Sequence, residues 1–372
     1  MITYMFPGQG SQAKGMGEQL FSEFPDLVKK ADELLGYSIQ ELCLEDPYEQ
    51  LNLTQYTQPA LYIVNALSYF HKINETGRKP DFVAGHSLGE YNALLAAEVF
   101  DFETGLRLVK KRGELMGQAS GGAMAAVLKL NEAKVRNILW EYGLDNIDIA
   151  NLNSEGQIVI SGKVEDIDYA KTIFEKEGAG YVKLTVGAAF HSRYMVDAKA
   201  EFGEYIKNFR LSAPKIPIIS NVTALPHESY CIEEKMVEQL CAPVRWTDSV
   251  RYLLEQGCED FEELGPGKVL TKLVNRIKLE TPSVQKREKV VEVSAIAQKK
   301  ENKLNYHKFS DDVHEKVVEW NKRYPVGTKI ICNGYPEKLV TRTEAMVLFG
   351  HRAAIYVENY NGYFDLEEIT PA

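Results

Sequence analysis

One pentapeptide, Gly85-His-Ser-Leu-Gly89, constrains the fold of this chain more than any other feature. The segment Asp81-Phe-Val-Ala84 before it predicts a buried strand, and the run from Tyr91 to Val99 after it predicts a helix. A G-x-S-x-G sequence between a strand and a helix forms a sharp turn that exposes the serine hydroxyl beside free backbone N–H groups. The segment therefore predicts an α/β fold with a nucleophile at Ser87; a glycine-bracketed turn with an ordinary serine is the alternative.

The pattern around this turn predicts two domains. Residues 2–6 form a second short apolar run that ends at Pro7-Gly8, as expected of a neighbouring buried strand. We therefore expect an α/β-hydrolase-like large domain with a parallel sheet, built from residues 1–120 and 188–279. Residues 121–187 follow a β-α-β-β-α-β order, which predicts an inserted ferredoxin-like small domain.

Two helices of the large domain carry polar residues of interest. Apolar residues from Gln58 to Ile73 keep helical spacing, and Pro59 would suit the first turn of that helix. A second helix, Thr104 to Ala119, places Arg112 and Met116 four residues apart and hence on one face.

The end of the chain predicts a separate module. Residues 280–310 are polar and charge-rich, which is typical of a linker. Residues 311–372 predict a helix that ends before Pro325, followed by a small β module with Asn333-Gly334 and Asn361-Gly362 as hairpin signals. The module either docks a partner protein or supports the rest of the chain, and its aromatic residues favour support.

Composition excludes several classes of protein. Asp and Glu outnumber Lys and Arg by 53 to 43, giving a net charge of -10, which is the wrong sign for nucleic-acid binding by overall charge. The five cysteines are scattered and include no CxxC, so they indicate reduced thiols and no metal site. The N-terminus has no basic signal region, and no apolar run is long enough to span a membrane. We expect a cytoplasmic protein that binds neither nucleic acid nor membrane.

Ser87 needs a general base, and the chain has seven histidines. His86 is too close, because adjacent side chains at a sharp turn diverge. His191 follows the apolar run Gly187-Ala-Ala-Phe190 and precedes Ser192, so it lies where an α/β sheet places its active site. A structural histidine is the alternative, and spacing identifies no carboxylate as a third member of a triad. The histidines are His71, His86, His191, His227, His307, His314 and His351.

Seven short motifs occur in the order and approximate spacing of one protein family. They are Phe6-Pro-Gly-Gln-Gly-Ser-Gln12, Thr57-Gln-Pro-Ala60, Gly85-His-Ser-Leu-Gly-Glu90, Arg112-Gly113, Gly156-Gln-Ile-Val-Ile-Ser-Gly162, Phe190-His191-Ser192 and Pro243-Val-Arg-Trp246. Through them, residues 1–279 resemble the malonyl-CoA:acyl carrier protein transacylases and the acyltransferase domains of polyketide synthases. One motif alone would be weak evidence, whereas seven in order exclude coincidence.

The resemblance implies catalytic roles for several residues. Ser87 is the nucleophile and His191 its general base. A main-chain carbonyl at Ala242 or nearby orients the histidine in place of an acid. The backbone N–H groups of Gln9 and Leu88 form the oxyanion hole.

The resemblance also implies how the acyl group is bound. Arg112 holds the free carboxylate of malonate through a bidentate pair, although without the family it would be taken for a surface arginine. Gln58 and Met116 help to form the acyl site. Phe190 resembles the residue of malonyl-selective members, where a bulky ring crowds a methyl branch at C2. The chain departs from the common pattern at Ala188, where histidine is frequent.

The implied reaction transfers a malonyl group from malonyl-CoA to the phosphopantetheine thiol of an acyl carrier protein, through a malonyl-serine and without a metal or redox cofactor. The partner is an acyl carrier protein or a carrier domain of a polyketide synthase, in fatty acid or polyketide biosynthesis. An additional module of about 90 residues favours a freestanding acyltransferase that serves a synthase in trans. An acyl hydrolase is the alternative, and the carboxylate clamp at Arg112 argues against it. Candidate contacts to the carrier are Arg193, Arg245, Lys268, Lys272, Arg276 and Lys278.

Overall fold

The chain divides into two compact units, Met1–Ser283 and Val284–Ala372, in the computed structural model. The structure describes residues 1–281, 316–332, 338–348, 352–358, 363–366 and 369–372. The predicted linker lies outside the described residues except for its first two positions. Both predicted hairpin turns, Asn333-Gly334 and Asn361-Gly362, also lie outside them.

Helices and strands alternate along most of the first unit. Its strands are β1 Ile2–Phe6, β2 Phe82–Gly85, β3 Gly122–Leu128, β4 Asp148–Ser154, β5 Gln157–Lys163, β6 Gly180–Lys183, β7 Ile218–Ile219 and β8 Asp260–Glu263. Its α-helices are α1 Glu18–Glu23, α2 Pro25–Leu35, α3 Ile39–Leu44, α4 Thr54–Thr76, α5 Gly89–Ala96, α6 Phe102–Gln118, α7 Glu132–Glu141, α8 Val164–Lys176, α9 Val196–Ile206, α10 Ile232–Glu238, α11 Trp246–Glu255 and α12 Val269–Glu280, with a 3₁₀ turn at Arg193–Met195.

A parallel sheet in the order β7-β2-β1-β8 forms the centre of the larger part. Side chains alternate across it: Tyr4 and Phe6 enter the main core, whereas Met5 enters a second core with Trp246 of α11. The pairing of Phe6 with Gly85 aligns the carboxyl ends of β1 and β2. The loops that leave these two strands therefore meet at one edge of the sheet, where α/β folds place their sites.

A second, antiparallel sheet has the order β4-β5-β3-β6. With α7 and α8 it forms the β-α-β-β-α-β arrangement of a ferredoxin-like unit. Its core is apolar and includes Ile138, Ile160 and Phe174. Two backbone hydrogen bonds attach β4 to the larger part: Leu152 N donates to Val244 O at 2.9 Å, and Val244 N donates to Ala150 O at 2.9 Å.

Helix α4 begins earlier than the sequence suggests. It starts at Thr54, so Pro59 lies inside the helix, and the prediction of a first-turn position is wrong. The additional turn forms because the segment before Gln58 also packs inward: Thr57 is fully buried and its hydroxyl donates to Leu51 O at 2.6 Å. Burial of this turn outweighs the backbone hydrogen bond that proline cannot make.

The second unit is rich in short strands. It contains a helix at residues 316–323. The strands β9 Lys329–Cys332, β10 Leu339–Val340 and β14 Ile369–Pro371 form one antiparallel sheet, and β11 Met346–Leu348, β12 Arg352–Tyr356 and β13 Tyr363–Asp365 form another. The predicted fold class, a parallel α/β sheet with separate antiparallel sheets, is confirmed. In the described part of the chain, no helix combines the length and apolar character needed to cross a bilayer.

Candidate active site

The turn between β2 and α5 holds Ser87 in a strained backbone conformation. Ser87 has φ of +52°, in the left-handed region that costs a non-glycine residue about 1–2 kcal/mol. The flanking glycines allow this turn, because a Cβ at Gly85 would lie 1.9 Å from the carbonyl carbon of Gly89 and a Cβ at Gly89 would lie 1.9 Å from Phe6 O. Any other residue at either position would push the turn away from the sheet.

His191 lies directly over the serine hydroxyl. Its Nε2 is 2.8 Å from Ser87 Oγ, and its Nδ1 is 2.9 Å from the main-chain oxygen of Gln239. A carbonyl oxygen can only accept, so Nδ1 carries the proton and Nε2 is free to accept the proton of Ser87. The pair has the arrangement of a nucleophile with its general base.

The main-chain oxygen that accepts from His191 Nδ1 belongs to Gln239, in the segment near Ala242 where the resemblance implied an orienting carbonyl. Helix α10 ends at Glu238, so the carbonyl of Gln239 lies past the last helical residue and has no partner within the helix. It is therefore available to His191. The backbone of Ala242, farther along the same loop, also lies within hydrogen-bonding range of the imidazole.

Burial controls the protonation of His191. Removal from water, and then the nearby charge of Arg112, lower the pKa of the imidazole to about 3. The ring is therefore neutral at ordinary pH. A neutral imidazole is the form that can accept a proton from serine.

Arg112 is a buried cation beside the nucleophile. Its side chain is 1% exposed, so the surface-arginine alternative is excluded. Nη1 donates to Gln58 Oε1 at 2.7 Å, while Nη2 donates to Gln239 Oε1 at 2.9 Å and to Ser87 Oγ at 3.1 Å. Arg112 forms no ion pair with a carboxylate of the described residues. Its Nε has no hydrogen-bond partner there, and its Cζ lies 5.5 Å from the centroid of the Tyr91 ring. Burial lowers the pKa of the guanidinium, which an incoming carboxylate would offset.

Two backbone N–H groups at the end of the sheet are unused. Within the described residues, the N–H groups of Gln9 and Leu88 have no hydrogen-bond acceptor. Leu88 is the N-cap of α5, and a Cβ at Gly8 would lie 2.3 Å from His86 O, so the loop that carries Gln9 packs closely against the serine turn. These two donors suit an oxyanion formed at a carbonyl attacked by Ser87.

Comparison with known proteins identifies the family. A model of the acyl transferase domain matches residues 3–316. The chain belongs to the acyl transferase family. It is 58% identical over 283 residues to BaeC, a polyketide biosynthesis malonyl CoA-acyl carrier protein transacylase of Bacillus velezensis, covering 76% of this chain and 98% of that protein.

Two solved structures of the family are similar in fold. A malonyl CoA-acyl carrier protein transacylase of Burkholderia pseudomallei has a TM-score of 0.74 and 51% identity, covering 76% of this chain and 99% of that one. A malonyl-transacylase solved in complex with a type II polyketide synthase acyl-carrier protein has a TM-score of 0.71 and 35% identity, covering 74% of this chain and 92% of that one.

Of the remaining predicted residues of this acyl transferase, Gln58 contacts Arg112 directly. Gln58 on α4 accepts from Arg112, and its Nε2 is 3.4 Å from the sulfur of Met116 on α6. Phe190 is buried in the main core directly before His191, and Ala188 is buried near it in sequence. Gln9 itself is half-buried, and its side chain donates to Thr54 Oγ1 at 3.3 Å.

A set of polar residues that the sequence did not predict holds the serine turn. Asn221 Oδ1 accepts from Ser87 N at 2.7 Å, and Gln239 Nε2 donates to Ser87 O at 2.9 Å and to a carboxylate oxygen of Glu90 at 2.5 Å. His227 lies at 2.6 Å from the other oxygen of Glu90. Glu90 is the one charged residue of α5, which is a usable signal, whereas nothing in the spacing of Asn221 or Gln239 indicates the site.

The predicted carrier contacts differ in whether their basic side chains already form ion pairs within the chain. Arg193 pairs with Asp148, Arg245 with Asp248 and Arg276 with Glu280. Lys278 donates to Glu259 O. Lys268 and Lys272 have no ion pair among the described residues. In the same part of the chain, no three metal-ligating side chains cluster together.

Proposed function

We propose that this chain transfers a malonyl group from malonyl-CoA to the phosphopantetheine thiol of an acyl carrier protein through a malonyl ester of Ser87. One observation carries the proposal. The buried guanidinium of Arg112 lies 3.1 Å from Ser87 Oγ and has no carboxylate partner among the described residues. An acyl group that ends in a carboxylate would supply the missing anion while its thioester faces the nucleophile. The names of BaeC and its solved relatives agree with this substrate.

Acylation begins when Ser87 Oγ attacks the thioester carbonyl. The serine proton moves to His191 Nε2, and the oxyanion accepts hydrogen bonds from the N–H groups of Gln9 and Leu88. Collapse of this intermediate breaks the carbon–sulfur bond. The CoA thiolate leaves with the proton that His191 held, and malonyl-Ser87 remains.

Transfer to the carrier reverses these steps with a different thiol. His191 takes the proton of the phosphopantetheine thiol, and the thiolate attacks the ester of Ser87. The ester bond breaks, and the serine oxygen recovers the proton from His191. Nucleophile, base and donors all come from the chain, so the proposed reaction uses no metal or redox cofactor.

The choice of acyl group has two sources in this proposal. Arg112 disfavours acyl groups without a carboxylate, because they leave the buried cation unpaired. The ring of Phe190 crowds a methyl branch at C2 and disfavours methylmalonyl. A single methyl group changes binding by about 1–3 kcal/mol, so this second discrimination is the weaker one.

We place the reaction in polyketide or fatty acid biosynthesis, in the cytoplasm where CoA thioesters and carrier proteins are found. The similarity to BaeC supports a polyketide pathway. The carriers themselves provide the test, since loading of a polyketide carrier domain can be compared directly with loading of a fatty acid carrier protein.

The experiment separates transfer from hydrolysis. The enzyme is mixed with malonyl-CoA and a holo carrier protein, and malonyl-carrier and free malonate are both quantified. We expect malonyl-carrier to form and free malonate to accumulate slowly. Rapid release of free malonate, or of longer acyl groups from a loaded carrier, would identify an acyl hydrolase and contradict the proposal.

A further inference from the structure

The carboxylate of Glu90 lies behind the site and has no role in the reaction as derived above. Its side chain is 2% exposed. One oxygen accepts from His227 Nε2 at 2.6 Å and from the backbone N–H of Asn221 at 3.2 Å, and the other accepts from Gln239 Nε2 at 2.5 Å. No lysine or arginine of the described residues forms an ion pair with it. This buried acid therefore accepts hydrogen bonds on both oxygens, and its charge also attracts the guanidinium of Arg112.

The amide of Gln239 has one permitted orientation. On one side it faces Glu90 and, at 2.9 Å, Ser87 O, which both accept. On the other side, at 2.9 Å, it faces the guanidinium of Arg112, which only donates. Only with Nε2 toward the first pair and Oε1 toward Arg112 does every group have a partner.

We propose that Glu90 is a positioning residue that fixes the amide of Gln239 and thereby holds Arg112 ready for the carboxylate of the acyl group. The inference rests on the proposed malonyl transfer. A carboxylate suits this position because both of its oxygens face donors. The residue acts through Gln239 and does not touch the substrate.

Replacing Glu90 by glutamine tests this directly, because the new side chain must place an NH₂ group on one side. If the NH₂ of the new glutamine faces Gln239, it meets the NH₂ of Gln239, which is another donor. Rotation of the Gln239 amide would remove this contact, but it would turn the Gln239 NH₂ toward Arg112, which also only donates. If the NH₂ of the new glutamine faces Asn221 instead, it meets the backbone N–H of Asn221, which can only donate. Either way a buried donor loses its acceptor, which reduces the affected equilibrium by about ten- to a hundredfold.

The measured quantity is the rate of acylation of Ser87 by malonyl-CoA divided by the rate with acetyl-CoA, both from single-turnover intact-protein mass spectrometry. Acetyl-CoA lacks the carboxylate, so its rate reports the reactivity of Ser87 without the contact between Arg112 and the acyl carboxylate. We expect the malonyl-to-acetyl ratio to fall at least tenfold in Glu90→Gln. A ratio that stays within twofold of wild type, even with both rates reduced, would indicate a structural role only and overturn the proposal.

A double-mutant cycle with Gln239→Ala tests the route of the effect. If Glu90 acts through Gln239, Glu90→Gln lowers the ratio no further in the Gln239→Ala background. An equal fall in both backgrounds would overturn the proposal. Glu98→Gln is the matched control, because Glu98 is an acid paired at the surface with Lys79, and its ratio should remain that of wild type.

Glu90→Asp covers the case in which Glu90→Gln does not fold. It keeps an acceptor-only carboxylate but withdraws it by one methylene from Gln239. We expect an intermediate fall in the ratio, about threefold, and an unchanged ratio would overturn the proposal. If wild-type Ser87 accepts no malonyl group at all, the proposed function has failed, which is distinct from failure of the role of Glu90.

Discussion

The apolar core beside the antiparallel sheet and the carboxyl end of the parallel sheet bury different kinds of side chain. The antiparallel sheet encloses an apolar core that includes Val135, Ile160 and Phe174. At the end of the parallel sheet, by contrast, Arg112 and Glu90 are buried with almost no exposure. Apolar burial stabilises a fold, whereas buried charges cost stability unless neighbouring groups or a ligand compensate them. The difference separates an apolar interior from the polar site beside Ser87.

The largest effect is expected from replacing His191, because the site then lacks its general base. We expect His191→Ala to lower malonyl loading by about 10⁴-fold, since Ser87 then has no proton acceptor. Loading is measured by single-turnover mass spectrometry. His71→Ala is the control, because His71 is exposed and pairs with Glu23. Loading by His191→Ala within tenfold of wild type would contradict the assignment of the base.

The second-largest effect is expected from replacing Arg112, the buried cation without a carboxylate partner among the described residues. Arg112→Lys keeps the charge but loses the bidentate geometry and the contacts to Gln58 and Gln239. We expect malonyl acylation to fall about 10²-fold, with a much smaller change for acetyl-CoA. Arg107→Lys on the exposed side of the same helix is the matched control. Equal losses of acylation rate with malonyl-CoA and acetyl-CoA would show that Arg112 does not bind the carboxylate.

A change in the apolar core should affect stability and leave specificity intact. Ile160→Ala creates a cavity in the antiparallel sheet and should lower the free energy of unfolding by about 2–5 kcal/mol. Val182→Ala, at a half-exposed position of the same sheet, should cost much less. Chemical denaturation gives the stabilities. A changed malonyl-to-acetyl ratio in folded Ile160→Ala would contradict the expectation that this apolar core affects stability and not specificity.

The smallest effect is expected from pH. Because burial lowers the pKa of His191 to about 3, its ring stays neutral between pH 5 and 8, and single-turnover acylation should vary less than twofold over that range. A histidine with an ordinary pKa near 6.5 would lose about thirtyfold of its base form at pH 5. A fall in rate centred near pH 6.5 would therefore contradict the burial of the base.

The sign for stability follows from the same pKa. The folded value lies below the unfolded value of about 6.5, so unfolded chains bind the proton first as the pH falls. The free energy of unfolding should therefore decrease from about pH 6.5 toward pH 3, with no contribution from His191 above that range. Replacing His191 by glutamine should reduce this decrease.

The sequence predicted the parts of the site that depend on local pattern. The strand, the turn at Ser87 and the helix after it follow from short-range chain geometry, and motif matches placed His191 and Arg112. Asn221 and Gln239 contact Ser87 from 134 and 152 residues away along the chain, and no periodicity connects them to it. Helix α4 begins earlier than predicted because the burial of Thr57 outweighs the preference of proline for the first turn of a helix.

The most direct measurement is intact-protein mass spectrometry after brief exposure to malonyl-CoA or acetyl-CoA without a carrier protein. We expect one malonyl adduct, mapped to Ser87, absent from Ser87→Ala and much weaker with acetyl-CoA. An adduct that persists in Ser87→Ala, or equal labelling by the two CoA esters, would contradict a malonyl transferase built on Ser87, His191 and Arg112.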